Sequence, residues 1–132
     1  MAELRYPLGE HARDEVRAQT GRSADELTVA AIRAGEITAA DAAVDPATLL
    51  VQAGFAEAGG NPQLAENLRR GAELARFADD DVLRFYDALR PGRSSKGELE
   101  AIAAELEAGD AHRCAALVRE ALAHYARRGL IA

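Results

Sequence analysis

The sequence predicts an all-α fold: a compact bundle of about five or six short helices behind an irregular N-terminal arm. Three observations predict it. Apolar residues recur at three- and four-residue spacing in successive stretches. Helix-start patterns stand directly before those stretches. No alternating run of β-branched residues marks a strand, and no internal repeat of roughly 20–50 residues is evident. At 132 residues the chain is expected to form one domain, with an arm over residues 1–22 and a helical body over residues 23–132.

The arm contains the breakers Pro7, Gly9 and Gly21 and shows weak periodicity, so only a short helix near residues 13–18 is expected there. Such an arm is suited to lying on a partner. Ser23 and Glu26 then form a capping box, in which the hydroxyl accepts from a free first-turn N–H and the carboxylate reaches back to the cap. The helix they open carries Leu27, Ala30 and Ala31 on its apolar face and ends at Gly35. Thr38 caps a short turn through Asp41. Asp45-Pro46 places a capping carboxylate before a proline at the first helical position, where its missing N–H has no intrahelical partner to lose. That helix runs through Leu49, Leu50, Ala53 and Ala56 to Gly59-Gly60. Asn61-Pro62 repeats the device, with Leu64, Leu68, Ala72 and Ala75 on one stripe and Glu66, Arg69, Arg70 and Glu73 largely away from it.

Asp79 is expected to cap the next helix, whose apolar face holds Val82, Phe85, Tyr86 and Leu89. Pro91 ends it, because proline lacks an N–H and disfavours α geometry in the preceding residue. A second capping box, Ser95 and Glu98, opens the following helix, with Leu99, Ile102, Ala103 and Leu106 as its stripe, fading at Gly109-Asp110. The last helix is marked by Cys114, Leu117, Val118, Ala121, Leu122 and Tyr125, and Arg127 and Arg128 complement the negative end of its dipole.

Composition narrows the function classes. The chain has 48% apolar residues, but 31 residues are alanine, none is tryptophan, and phenylalanine and tyrosine total six. Alanine favours helix while burying little area, so stability must come from closely packed helices or from a partner surface. A net charge of -6 and a pI near 5.1 argue against nucleic acid and anionic lipid. No apolar run approaches the roughly 18 residues a membrane span needs, and no signal-like segment opens the chain. The single cysteine, Cys114, forms no internal disulfide, which suits a cytoplasmic setting.

No catalytic constellation emerges. No pair among His11, His112 and His124 has the spacing that puts two ligands on one helix face, so no metal site is expected. Cys114 lies on an apolar stripe and reads as a small buried thiol rather than a ligand beside His112. No motif for nucleophilic catalysis surrounds Cys114, Ser94 or Ser95. Asp79, Asp80 and Asp81 suit the positive end of a helix dipole better than a cation site. Arg69-Arg70 and Arg127-Arg128 read as solvated faces.

The cationic connector Arg90, Pro91, Arg93 and Lys96 stands out on this acidic chain and has two readings. Structurally, Arg90 and Arg93 would bond open carbonyls at the end of the preceding helix. Functionally, they would dock a partner's carboxylates, since arginine is favoured where planar, bidentate recognition and interface hot spots are built.

Leu89-Arg90-Pro91-Gly92-Arg93-Ser94-Ser95-Lys96-Gly97-Glu98-Leu99 also resembles the helix junction of the small subunit of adenosylcobalamin-dependent diol and glycerol dehydratases. That family shows a Leu-Arg-Pro-x-Arg-Ser-(Ser/Thr)-Lys-x-Glu-Leu pattern there. Tyr6-Pro7-Leu8, Thr20-Gly21-Arg22-Ser23, Pro46-Ala47-Thr48-Leu49, the run Pro62-Gln63-Leu64-Ala65-Glu66-Asn67-Leu68-Arg69-Arg70-Gly71-Ala72-Glu73-Leu74, and Cys114 to Ala121 agree in the same order. The resemblance covers nearly the whole chain.

It implies a helical subunit packed on a large catalytic subunit of a lyase that converts a 1,2-diol or glycerol to an aldehyde and water. Adenosylcobalamin would be held by the large and medium subunits. No catalytic, cofactor-binding or metal-binding residue carries over to this chain, and Arg90, Pro91, Arg93 and Lys96 are its partner-interface candidates. Tyr6-Pro7-Leu8 stands near the start, without the longer N-terminal extension of encapsulated members, and the end lacks the lysine-containing tail of some members. A cytoplasmic enzyme outside microcompartments is therefore expected. The alternative is a free-standing helical regulator, such as a DNA-binding module, or a scaffold protein. Glu98, Glu100 and Glu105 after the junction argue against a basic recognition face.

Overall fold

The computed structural model describes residues 4–132. Among these the fold is all-α, as the periodicity predicts, with seven α-helices and two 3-10 turns. The described chain separates into two compact units, one up to Leu68 and one from Arg69 to Ala132. The first three residues of the expected arm lie outside the described range.

In the first unit α1 spans Leu8–His11, α2 Val29–Arg33 and α3 Pro46–Ala58, and α4, Pro62–Leu74, begins there. The short arm helix falls at α1 rather than at residues 13–18. The Pro7 carbonyl collects the Glu10 and His11 N–H groups, each at 3.1 Å, while Arg17 instead forms an isolated bridge with Ser23. The helix expected from Ser23 to Gly35 is two pieces. The Ser23–Glu26 box forms, with the Ser23 N–H 2.7 Å from Glu26 Oε2, but it opens only a 3-10 turn, Ala24–Glu26. Thr28 then caps α2 through its hydroxyl, which accepts from Ala31 N at 3.1 Å. A threonine that satisfies the N–H three residues on favours restarting a helix over continuing one. Asp45 and Asn61 cap α3 and α4 as expected, accepting from Thr48 N and Leu64 N at 3.0 Å each.

A buried carboxylate ties the loops of this unit. Asp41, in the 3-10 turn Ala39–Ala42, accepts from Thr38 N at 2.7 Å and from the Thr20 hydroxyl at 2.6 Å, and lies 3.1 Å from Arg22 Nε. The Gln19 amide donates to the Val44 carbonyl. The buried apolar residues here are small: Ala12, Ala53 and Ala65.

The second unit holds the larger core. It comprises the end of α4, α5 (Asp79–Ala88), α6 (Lys96–Ala108) and α7 (His112–Arg128). The stripes read from the sequence meet, since Phe85, Leu99, Ile102, Ala103, Leu106, Cys114, Ala115, Val118 and Leu122 form one buried cluster. Phe77 stands edge-on to Phe85 at 5.5 Å between centroids, and its ring sits so close to Gly109 that a Cβ there would lie 2.4 Å from Phe77 Cζ. Glycine is needed at that position for room.

Two expectations about α5 change. Its cap position is Ala78, with no side-chain bond, and Asp79, Asp80 and Asp81 fill the first turn. Tyr86, expected on the apolar face, is 63% exposed. The buried side of α5 is centred on Phe85, and the next residue turns about 100° away from it.

Candidate partner interface

The connector between α5 and α6 is fixed from several sides. After α5 ends, Arg90 N bonds the Asp87 carbonyl at 3.2 Å and Arg93 N the Arg90 carbonyl at 3.0 Å, closing a tight turn. Gly92 takes a positive φ of 73°, a left-handed conformation that glycine adopts without strain. The carbonyls left open at the helix end find donors. The buried Ser94 hydroxyl bonds Ala88 O at 2.8 Å, and the Tyr125 hydroxyl of α7 bonds Leu89 O at 2.5 Å. The chain after α7 closes over the loop, with Gly92 N on Leu130 O at 2.7 Å and Ala132 N on Ser94 O at 2.9 Å. The Ser95–Glu98 box then starts α6 as predicted, Glu98 N lying 3.2 Å from the Ser95 hydroxyl and Ser95 N 2.7 Å from the Glu98 carboxylate.

These bonds correct the structural reading of the cations. Arg90 and Arg93 do not bond the carbonyls at the end of α5, because Ser94 and Tyr125 already do. Both guanidinium groups turn to one carboxylate: Arg93 Nε donates to Asp87 Oδ2 at 2.9 Å and Arg90 Nη1 to Asp87 Oδ1 at 3.3 Å. The bond from Arg93, then that from Arg90, lowers the Asp87 pKa below its ordinary value. Backbone donation from Ser95 does the same for Glu98. The Arg90 and Arg93 side chains remain 74% and 61% exposed, and Lys96 is exposed at the start of α6. The structure therefore brings Arg90, Pro91 and Arg93 together around one open recess, with Lys96 one turn further on.

The other candidates resolve into structural roles. Asp81 pairs with Arg84 at 3.1 Å, and Arg84 reaches across to Glu105 on α6 at 2.5 Å. Arg119 clamps α7 to α6 through Glu100, at 2.9 Å, and Glu107. Hydrogen bonds to these carboxylates raise the pKa of both arginines and lower that of Glu107. His112 is exposed beside Asp110, whereas Cys114 is buried and donates to the Arg70 carbonyl at 3.5 Å. Burial, then the neighbouring Glu73, pushes the Cys114 thiol up to about 12.

Glu73 is the residue the periodicity misplaced. Expected away from the buried stripe, it is buried, and its carboxylate accepts from Arg113 N at 3.1 Å and Cys114 N at 2.9 Å. It thereby caps α7, whose own cap residue, Ala111, has no side-chain acceptor. That missing cap is the one sequence signal that points to an acceptor from elsewhere.

The described residues thus form a helical chain with a braced cationic turn and buried carboxylates committed to backbone donors. The model of the dehydratase small subunit family matches residues 1–132, and the chain belongs to that family. Among its relatives is the propanediol dehydratase small subunit of Citrobacter freundii, 43% identical over 124 residues, which are 93% of this chain and 72% of the relative. The protein of the same description from Salmonella typhimurium is 42% identical over the same shares.

Proposed function

We propose that this chain is the non-catalytic small subunit of a heteromeric, adenosylcobalamin-dependent diol or glycerol dehydratase, packed on the large subunit. The observation that carries the reading is identity above 40% along 93% of the chain to small subunits of propanediol dehydratases. The geometry supports an accessory role, since Asp87, Arg90, Arg93 and Glu98 at the connector are committed to one another or to a helix cap. In this reading the large and medium subunits hold adenosylcobalamin, which supplies the radical chemistry, and the enzyme is cytoplasmic. Among the described residues no helix is long and apolar enough to cross a membrane. Residues 1–22 act as an arm on a partner and residues 23–132 as the helical subunit domain. Arg90, Pro91, Arg93 and Lys96 form part of the contact with the large subunit.

Co-expression with the large and medium subunits of the same organism, with and without this chain, tests the reading by sizing and by aldehyde formation from propane-1,2-diol and glycerol. Co-elution is expected, together with aldehyde formation that depends on this chain. Arg90→Ala with Arg93→Ala should weaken co-elution while leaving the helical content unchanged. A chain that elutes alone while the other two subunits are fully active would overturn the assignment.

A further inference from the structure

The loop between α1 and α2 is closed on itself by its own bonds. Arg13 Nε donates to Asp25 Oδ1 at 2.8 Å across its neck, Arg17 and Ser23 form the isolated bridge, and Ala18 N bonds Arg22 O at 2.9 Å. Gly21 turns the tip with a positive φ of 88°, its N–H on Ala18 O at 2.8 Å. A surface loop of roughly 6–16 residues whose ends are joined in this way keeps its shape from within. None of residues 13–25 is buried, so no apolar anchor fixes the loop to the rest of the first unit.

What fixes it is polar. The Asp41 carboxylate divides its oxygens between two tasks: Oδ2 accepts from Thr38 N and holds its own turn, while Oδ1 accepts from the Thr20 hydroxyl at 2.6 Å and lies 3.1 Å from Arg22 Nε. Arg22 also donates to the Glu36 carbonyl at 2.9 Å, and the Gln19 amide to the Val44 carbonyl. Beside Asp41 is a recess of about 370 Å³, which Val16, Ala18 and Ala24 of the loop line together with Val44 and Leu49.

We infer that residues 13–25 form a flap on the first unit with Asp41 as its catch, and that releasing the catch swings the flap out and opens the apolar wall of the recess. Segments that open at low free-energy cost are those with few buried apolar contacts, and this loop buries no residue. The body it leaves keeps its own anchors, since the buried Ala53 and Ala65 and the Asp45 cap of α3 all lie outside the flap. The catch is concentrated at one oxygen of a carboxylate that is 5% exposed, where hydrogen bonds to charge are stronger than neutral ones. The inference concerns the chain by itself and stands apart from the small-subunit reading.

The test puts spin labels at Asp14→Cys in the flap and Ala47→Cys on α3, both exposed positions, and reads the distribution of distances between them; Cys114 is buried and stays unlabelled. Labels at Ala47→Cys and Gln63→Cys, on α3 and α4 of the same unit, give the reference pair. Thr20→Val with Arg22→Gln takes the partners from Asp41 Oδ1 and leaves its bond to Thr38 N in place, with circular dichroism checking the fold. The ratio of a longer, open distance to the closed one should rise by about tenfold or more, the loss expected when a charged acceptor gives up its hydrogen bonds, while the reference distribution stays as it was. An unchanged distribution in the flap pair would overturn the inference. Equal broadening of the reference pair would overturn it too, because the first unit would then loosen as a whole. Neither outcome bears on the subunit reading, since no partner chain takes part.

Discussion

The two units use different means of holding a helical chain together. From Arg69 onward, leucine, isoleucine, valine and phenylalanine side chains converge on one cluster. Up to Leu68 the buried apolar residues are alanines, and the loops are gathered by Asp41, on which Thr20, Thr38 and Arg22 converge. Hydrophobic burial scales with area, so the second unit draws on a stabilisation that the alanine-lined interior of the first does not match. The first unit also leaves Tyr6, Val29, Ile32, Val44, Leu50 and Leu64 exposed. An alanine-rich helical chain thus becomes a core where large residues fall in register and a network of caps where they do not.

The sharpest way to break this contrast is in the core itself. Leu106, 1% exposed, sits in the middle of the cluster. Leu106→Ala should cost about 2–5 kcal/mol, the range for a buried leucine truncated in a packed interior. Urea unfolding followed by segment-resolved hydrogen exchange should show protection lost from α6 and α7 first. Equal loss in the first unit would mean that the two units share one cooperative transition and that the contrast does not divide their stability.

Glu73 sharpens the comparison from the polar side, because the second unit also contains one carboxylate committed to backbone donors. Glu73→Ala would leave the Arg113 and Cys114 N–H groups without their acceptor, at roughly 1–3 kcal/mol for donors left unpaired in a buried setting. Cys114 reports the change directly. Its pKa of about 12 reflects burial first and Glu73 second, so the native thiol is almost entirely protonated at pH 8. Removing the carboxylate lowers that pKa, and alkylation of Cys114 at pH 8 should accelerate. An unchanged alkylation rate would mean that burial alone protects the thiol.

What the sequence revealed follows the same division. Where chemistry is local, the sequence specified the outcome: the Ser23–Glu26 and Ser95–Glu98 boxes, the short turn after Thr38, the caps at Asp45 and Asn61 and the stripe of α6 all appear, and the stripe of α7 appears except at Leu117, which is 44% exposed. Where an outcome depended on a distant group, it did not. Thr28 interrupts a helix that the apolar spacing alone would continue. Tyr86 belongs to the spacing of its helix but not to its buried arc. Glu73 is polar, which by pattern alone places it outside, yet it caps a helix forty positions on. At the connector, the sequence located the cations and the turn, while the bonds from Tyr125 and Leu130 that brace it depend on how α7 packs.

The smallest expected effect concerns the first unit and acid. Hydrogen bonds from Thr20 and from Thr38 N, and to a lesser degree the Arg22 charge, lower the Asp41 pKa. The unfolded carboxyl titrates near 3.9, above the folded value. Its contribution is therefore complete above the unfolded pKa and is lost as pH falls through the folded one. Below about pH 4 the amides near Thr20 and Thr38 should lose exchange protection, while the apolar cluster of the second unit, which has no proton to bind, keeps its own. Asp41→Asn should reproduce the loosening at neutral pH and remove its dependence on acid, because the amide still accepts one hydrogen bond but carries no charge for Arg22. If the two units instead open together on acidification, the exposed carboxylates of α5 and α6, whose pKa values are also lowered at Asp87, Glu98 and Glu107, govern the transition in place of Asp41.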